Sequence, residues 1–389
     1  MDFDTVIDRR GTHCAKWDLM EPLYGVNPGD GIAMWVADMD FRAPPCVRRA
    51  VESMAAHGIF GYWGGDAEYL DAIRWWMETR HGWTVDPDWV LTTHGIVNAV
   101  GLAVDVWTEP GEAVVLFTPV YHAFARVIRA AGRAVTELPL AIEGGRHVLD
   151  WDAYGARMTG RERMVILCSP HNPGGRVWTR AELEAVGEFA RAHDLVLVSD
   201  EIHHDLVMPG HRHLPTALIP GLEDRLVVMT ATTKTFNIAG MHTGNVIIPD
   251  PGLRARFAAR LGALGLSPNS FGMAMATAAY SPEGAEWVDA LCRYLDGNRR
   301  ALEAGLADLP GVRSMPLEAT YLAWLDFSRL GMSEAEVARR FAQGARIAAN
   351  LGSSFGTGGE GWMRLNLATP RVRVEEAARR LRAAFGDVQ

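Results

Sequence analysis

The chain has 389 residues, 48% of them hydrophobic, and a formal net charge of -9 at pH 7. Such a length and apolar content suit a folded protein of two domains and exclude a disordered chain. With an isoelectric point near 5.8 and no basic stripe, nucleic acid and anionic membrane surfaces are excluded as main partners, which leaves small molecules.

The N-terminal MDFDTVIDRRGTHCAKW is charged throughout and lacks an apolar run of signal length, so a cytoplasmic location is expected. Residues 1–45 show no helical period and read as an arm that packs on a second domain or a partner subunit. Between 46 and 280, short apolar runs alternate with helical patterns, the rhythm of a parallel sheet covered by helices. The expected strands are 113–117, 164–168, 195–199, 226–229 and 245–248. A helix should begin near Ile96, after LTTHG, and another at Thr179, where TRAE supplies Thr179 and Glu182 as a capping box, ending near His193. From 281 to 389 the texture becomes Ala/Arg/Glu-rich and helical, broken by strand-like 321–327 and 362–367, which reads as a smaller α+β domain. Its last helix, 374–385, should present a solvated face, and the tryptophans at 75, 76 and 83 should pack in a core or against a subunit. No segment reaches the roughly 18 to 20 apolar residues of a membrane span. Cys14, Cys46, Cys168 and Cys292 form no CxxC pair, which suits a reducing compartment and not a zinc-thiolate site.

Ligands of parallel α/β sheets sit at the carboxyl ends of the strands. The segments after three expected strands are SPHNPGGRVW, DEIHHD and TATTKTFNIAG, so an amide, a carboxylate, a histidine and a lysine converge on one rim. Lys234 taken alone would be an exposed lysine; among the hydroxyls of TATTKT it is a candidate nucleophile toward aldehydes beside an anionic phosphate. Asp200, fed directly by an apolar strand, is a candidate buried carboxylate rather than a surface acid. Thr93, His94 and Gly95 lie just before a helix whose unpaired N–H groups suit a phosphate, although the same residues would serve as an ordinary cap.

The stretches MWVADMDF, FGYW, HGIVNA, TPVYHAF, SPHNPGGRVW, SDEIHHD, KTFNIAG and MRLNLATPR resemble the fold-type I enzymes that use pyridoxal 5'-phosphate, within the class I/II aminotransferase superfamily. They are most similar to its cystathionine β-lyase and carbon–sulfur lyase branch, the MalY/PatB-like proteins. The resemblance runs in order from Met34 to Arg371 and implies an aspartate-aminotransferase-like α/β fold. By the same resemblance, Lys234 bonds the cofactor aldehyde and Asp200 pairs with the pyridine nitrogen. His203 and Asn172 lie beside the ring's phenolic oxygen, with Asn172 also near the substrate, and Tyr121 stacks on the ring. Gly95, Ile96 and Thr233 contact the phosphate, Tyr62 reaches the phosphate of a neighbouring subunit in a homodimer with shared sites, and Arg364 clamps the substrate's α-carboxylate. Two positions depart from the commoner pattern: Ala231 stands where many relatives carry a phosphate-binding serine, and His242 where aminotransferases often have arginine. That leaves Thr230, Thr232 and Thr233 as alternative phosphate anchors.

The implied reaction is carbon–sulfur β-elimination from L-cystathionine or a related cysteine S-conjugate, giving thiol, pyruvate and ammonia. Amino transfer between an amino acid and a 2-oxo acid is the alternative, since it uses the same Lys234, Asp200 and Arg364. A metal hydrolase built on His203, His204, Asp205, His211 and His213 is a weaker reading, because no HExxH occurs and adjacent strand histidines point to opposite faces, so no metal is expected. A non-catalytic binding role is weaker still with the lysine and carboxylate both present. Tyr321 is a further residue that approaches the pocket in this reading.

Overall fold

Seven strands form the main sheet of the computed structural model, which describes residues 1–387. They are β1 (Val90–Thr93), β2 (Ala113–Thr118), β3 (Ala134–Pro139), β4 (Glu162–Cys168), β5 (Val196–Asp200), β6 (Leu226–Thr230) and β7 (Gly244–Ile247), in the order β1-β7-β6-β5-β4-β2-β3. Neighbours from β6 through to β3 pair in parallel, and β7 alone runs antiparallel, between β6 and β1.

The central strands read as unbroken apolar runs because both of their faces are covered. Along β4, Val165 and Leu167 join one hydrophobic layer while Met164, Ile166 and Cys168 join the other; along β2, Val115 and Phe117 oppose Val114 and Leu116 in the same way. Helix α1 (Ala67–His81) lies in the first layer through Tyr69, Ile73, Trp76 and Met77. Helix α2 (Ile96–Trp107) covers the opposite face through Ala99, Val100, Ala103 and Val104. Helix α3 (Arg180–Ala192) returns to the first layer and starts at the expected capping box: the Thr179 hydroxyl accepts from the Glu182 N–H, and Glu182 accepts from the Thr179 N–H. Each such cap contributes about 1 kcal/mol.

A second, fully antiparallel sheet has the order β8-β9-β11-β10, with β8 (Arg313–Ser314), β9 (Leu322–Asp326), β10 (Asn350–Leu351) and β11 (Trp362–Asn366). Helices α4 (Pro282–Leu306) and α5 (Arg371–Phe385) pack beside it. Helix α5 exposes Arg379 and Arg382 and buries Val374, Ala377, Ala378, Leu381 and Phe385, so its expected solvated face is the back of a core helix. Part of the N-terminal segment is tied beside this second sheet: Ile32–Ala33 pair with Ile347–Ala348 in a separate two-stranded sheet, and the Asn366 side-chain amide donates to the Val36 and Asp38 carbonyls. Trp76 and Trp83 are buried and Trp75 is partly covered, as expected for core tryptophans. Two main-sheet strands, β1 and β3, escaped the sequence reading because they are edge strands that mix polar and only partly buried residues into short apolar runs.

Candidate active site

Parallel pairing brings the functional segments to one edge. In register, Cys168 at the end of β4 lies opposite Asp200 at the end of β5, and Asp200 lies opposite Met229 of β6. Asn172 follows β4, His203 follows β5, and Lys234 sits in the single turn Thr232–Thr235 after β6. Gly95 is the N-cap of α2 and Tyr121 follows β2. A cavity of about 390 Å³ is lined by Gly95, Ile96, Tyr121, Asn172, Asp200, His203, Thr233, Lys234 and Arg364 together, the last contributed by β11 of the second sheet.

The walls differ in chemistry. Lys234 is half-buried and its Nζ donates to the Ala37 carbonyl oxygen at 2.6 Å. Burial pulls its ammonium down to about 8; Asp38 and Asp200 oppose that shift and Arg364 adds to it. Burial pushes Asp200 the other way, up to about 7, although its Oδ1 accepts from the Ile202 N–H at 3.1 Å. His203 is neutral, held down to about 3 by burial and by the charges of Lys234 and Arg364, and its Nδ1 has no partner. Arg364 donates to Asn172 Oδ1 at 3.0 Å and to the Trp35 carbonyl and Asn350 Oδ1 at 2.8 Å each, with its guanidinium carbon 4.8 Å from the Phe355 ring centre. Its Nε is buried without a partner.

At the far end, α2 opens with no side-chain cap, so its first N–H groups face the cavity unpaired. Gly95 holds a φ of 87°, a left-handed conformation that glycine tolerates. Of the three threonines in question, Thr233 lines the cavity; Thr230 lies within β6 and accepts from the Asn245 side chain, and Thr232 is buried away from the opening. His242 lines the same end. An anion-binding helix terminus, a half-buried amine, a buried carboxylate and orphaned imidazole and guanidinium nitrogens fit a phosphorylated aromatic aldehyde, with Arg364 left for a carboxylate.

Tyr62 does not line this chain's cavity; it stands fully exposed at 102% on the segment between Gly58 and Ala67. Tyr321 is buried, edge-on to His203 with ring centres 6.1 Å apart, and stays behind the wall. Several cavity residues carry no periodic signal and were missed: Tyr24, Trp35, Ala37, His122 and Asn350. One unused signal was compositional, for among 38 basic residues only Lys16 and Lys234 are lysine. Lys16 is buried and ion-paired with Asp40 at 2.9 Å, whereas Lys234 is half-buried in the cavity wall.

The histidines of DEIHHDLVMPGHRH do not form one centre. His203 and His204 lie in a turn and His211 and His213 in irregular chain, not on a strand, and they diverge all the same. His203 faces the cavity, His211 is exposed, and His213 pairs with Glu201 at 2.9 Å. His204 and Asp205 cluster with His81, all three ligand-type atoms lying within 4.8 Å of one another. Asp205 Oδ1 accepts from Trp76 Nε1 at 2.9 Å and lies 2.8 Å from His81 Nε2, while Oδ2 accepts from the Thr235 hydroxyl at 2.9 Å and lies 3.0 Å from His204 Nε2. Hydrogen bonds with Trp76, His81 and Thr235, and the ion-pair approach of His204, account for this carboxylate without a metal.

A mainly parallel sheet whose strand ends gather a lysine and a buried carboxylate, completed by an arginine from a second sheet, is the architecture of the aminotransferase class I and II family; its model matches residues 30–381, and the chain belongs to that family. Within it, the chain is similar to cystathionine beta-lyase PatB of Bacillus subtilis strain 168, at 41% identity over 99% of this chain and 100% of the relative. It is 32% identical to protein MalY of Escherichia coli K12, covering 96% of each. Among solved structures, cystalysin from Treponema denticola, which contains a pyridoxal 5'-phosphate cofactor, superposes with a TM-score of 0.95 at 35% identity, over 100% of this chain and 99% of that one.

Proposed function

We propose that this chain is a pyridoxal 5'-phosphate-dependent carbon–sulfur β-lyase that cleaves L-cystathionine or related cysteine S-conjugates to a thiol, pyruvate and ammonia. The observation that carries the reading is the meeting of Lys234, Asp200 and Arg364 around one cavity that ends on an uncapped helix N-terminus. Lys234 would hold the cofactor, with Asp200 at its ring nitrogen, Asn172 and His203 at its ring oxygen and Tyr121 on its face. Gly95, Ile96 and Thr233 would hold its phosphate. Once bound, the cofactor supplies an aldehyde for the substrate's amine and a ring that withdraws electrons from Cα.

The chain's own residues do the rest. Arg364 presents a planar pair of N–H donors to the α-carboxylate and so fixes which Cα bond stands across the cavity. Asp200 keeps a proton at the ring nitrogen by its negative charge. Lys234, with an ammonium pKa near 8, is a competent base near neutrality for the Cα proton. Loss of that proton lets the Cβ–S bond break with its electron pair on sulfur; one water then converts the three-carbon fragment to pyruvate and ammonia, and no oxidant is needed.

The full exposure of Tyr62 supports a homodimer in which that ring completes the partner's phosphate site. We further propose an arm and part of the small domain at 1–45, a cofactor-binding large domain at 46–280 and a small domain at 281–389. Four free buried cysteines suit the cytoplasm, and no helix among the described residues is long and apolar enough to cross a membrane.

The same residues would serve amino transfer, and cystathionine separates the two. Thiol and pyruvate formed without any keto-acid acceptor support the lyase; strict dependence on an acceptor removes it. Borohydride reduction and peptide mapping test the cofactor assignment, which fails if no cofactor is fixed to Lys234.

A further inference from the structure

The turn that carries Lys234 is held from behind. Thr232–Thr235 is a four-residue helical turn, too short to set its own orientation, so its direction depends on what grips it. The three residues after Lys234 are each anchored outside the cavity. Thr235 donates its hydroxyl to Asp205 Oδ2 at 2.9 Å, and Phe236 packs edge-on to Trp76 with ring centres 5.6 Å apart. The Asn237 amide accepts from the Met39 N–H at 3.0 Å and donates to the Phe41 carbonyl at 2.7 Å.

Asp205 is itself fixed from two directions. Helix α1 supplies Trp76 and His81 as hydrogen-bond partners of Oδ1, and the segment after β5 supplies His204 as an ion-pair partner 3.0 Å from Oδ2, so a carboxylate with no exposure is gripped from both sides. Against the cost of burial, its charge is kept by His204, whose imidazolium Asp205 stabilises in turn. Nothing in the proposed reaction uses this group, and its side chain does not line the Lys234 cavity.

We infer that Asp205 is a positioning residue for Lys234: held by Trp76, His81 and His204, it grips the Thr235 hydroxyl and so fixes the direction in which the lysine amine enters the cavity. The inference rests on the reading of Lys234 as the cofactor-bonding residue, but the grip on the turn exists without cofactor. A base displaced by about 1 Å loses roughly 10²-fold in rate, which is the scale on which such a grip acts.

The test is Thr235→Val, which keeps the shape and removes the donor, with Thr235→Ser to restore it. Reductive methylation of the cofactor-free protein, mapped by mass spectrometry, reads Lys234 directly, because the chain's other lysine, Lys16, is buried in its own ion pair. The groups that face Lys234 are Asp38 from the N-terminal segment, Asp200 and His203 from β5 and the loop after it, and Arg364 from β11. All stay in place in the variant. The labelling midpoint of Lys234 in Thr235→Val should rise by about half a pH unit or more as the amine escapes burial. In the loaded enzyme, kcat should fall about tenfold with KM within about twofold. Thr235→Ser should return both to the wild-type values. If Thr235→Val does not fold, Trp76→Phe, which removes one donor to Asp205 and keeps a ring against Phe236, should move the labelling midpoint in the same direction. Wild-type labelling in whichever variant folds, even with a lowered melting temperature, would overturn the inference. Should the wild type bind no pyridoxal phosphate, the functional reading falls while the cofactor-free labelling still decides the grip.

Discussion

Replacing Asp200 by asparagine should stabilise the cofactor-free chain and remove most of its turnover once loaded. Asp200 is 3% exposed at the end of β5, accepts one backbone hydrogen bond, from Ile202 at 3.1 Å, and is raised by burial from 3.8 to about 7. The folded chain therefore keeps this proton up to about pH 7, whereas the unfolded chain releases it near 3.8. Stability present in acid is lost as pH rises through that interval, and three units at about 1.4 kcal/mol each place the cost of the ionised side chain near 4 kcal/mol. Asparagine keeps the shape and the acceptor for Ile202 but never ionises. The stability gap between variant and wild type should widen by about 2–3 kcal/mol from about pH 5 to about pH 8, then level off. Urea unfolding of both cofactor-free proteins at a series of pH values measures it. A gap that does not change with pH, or an asparagine variant less stable at the alkaline end, refutes the reasoning.

Arg364→Lys keeps the charge and loses the fork; forfeiting one charge-assisted bond of about 1.5–3 kcal/mol should lower kcat/KM about 10- to 100-fold in steady-state assays. Amine labelling of Lys234 in the cofactor-free protein should rise through a midpoint near pH 8, and Arg364→Met should move that midpoint upward because a repelling cation is gone. Mixing Tyr62→Ala and Lys234→Ala chains, each nearly inactive alone, should restore about a quarter of wild-type turnover after subunit exchange, since half of the pairs are mixed and each carries one intact site. No recovery removes the shared-site dimer. Dialysis against a chelator should leave turnover unchanged, as the Asp205 carboxylate is already hydrogen-bonded to Trp76, His81 and Thr235 and ion-paired with His204.

The strands and helices that place Asn172, Asp200 and Lys234 were legible because each strand is buried on both faces and each chemical residue follows its strand directly. Thr179 and Glu182 announced their helix by local hydrogen bonding alone. Arg364 could be read by resemblance but not by pattern, since its approach depends on the second sheet folding over the first. Trp35, Ala37 and Asn350 were invisible for the same reason: they enter the cavity from bends and two-residue strands, where no period exists. Tyr62 lies beyond the reach of one chain, because its proposed site is on another. Among the three threonines around Lys234 the sequence offered no choice, for the end of β6 takes Thr230 into the sheet and the rotation of the following turn separates Thr233, which lines the cavity, from Thr232.

The near absence of lysine gives the folded chain an unusual outward chemistry. Its external cations are guanidiniums, which do not condense with carbonyl compounds at neutral pH as a free amine does. Aldehydes, acyl donors and isocyanates therefore meet almost no decoy nucleophile of the amine type on the way in, apart from the chain's terminal amine. A carbonyl-bearing inhibitor shaped for the cavity would gain its selectivity within this protein from composition, before any shape complementarity is counted.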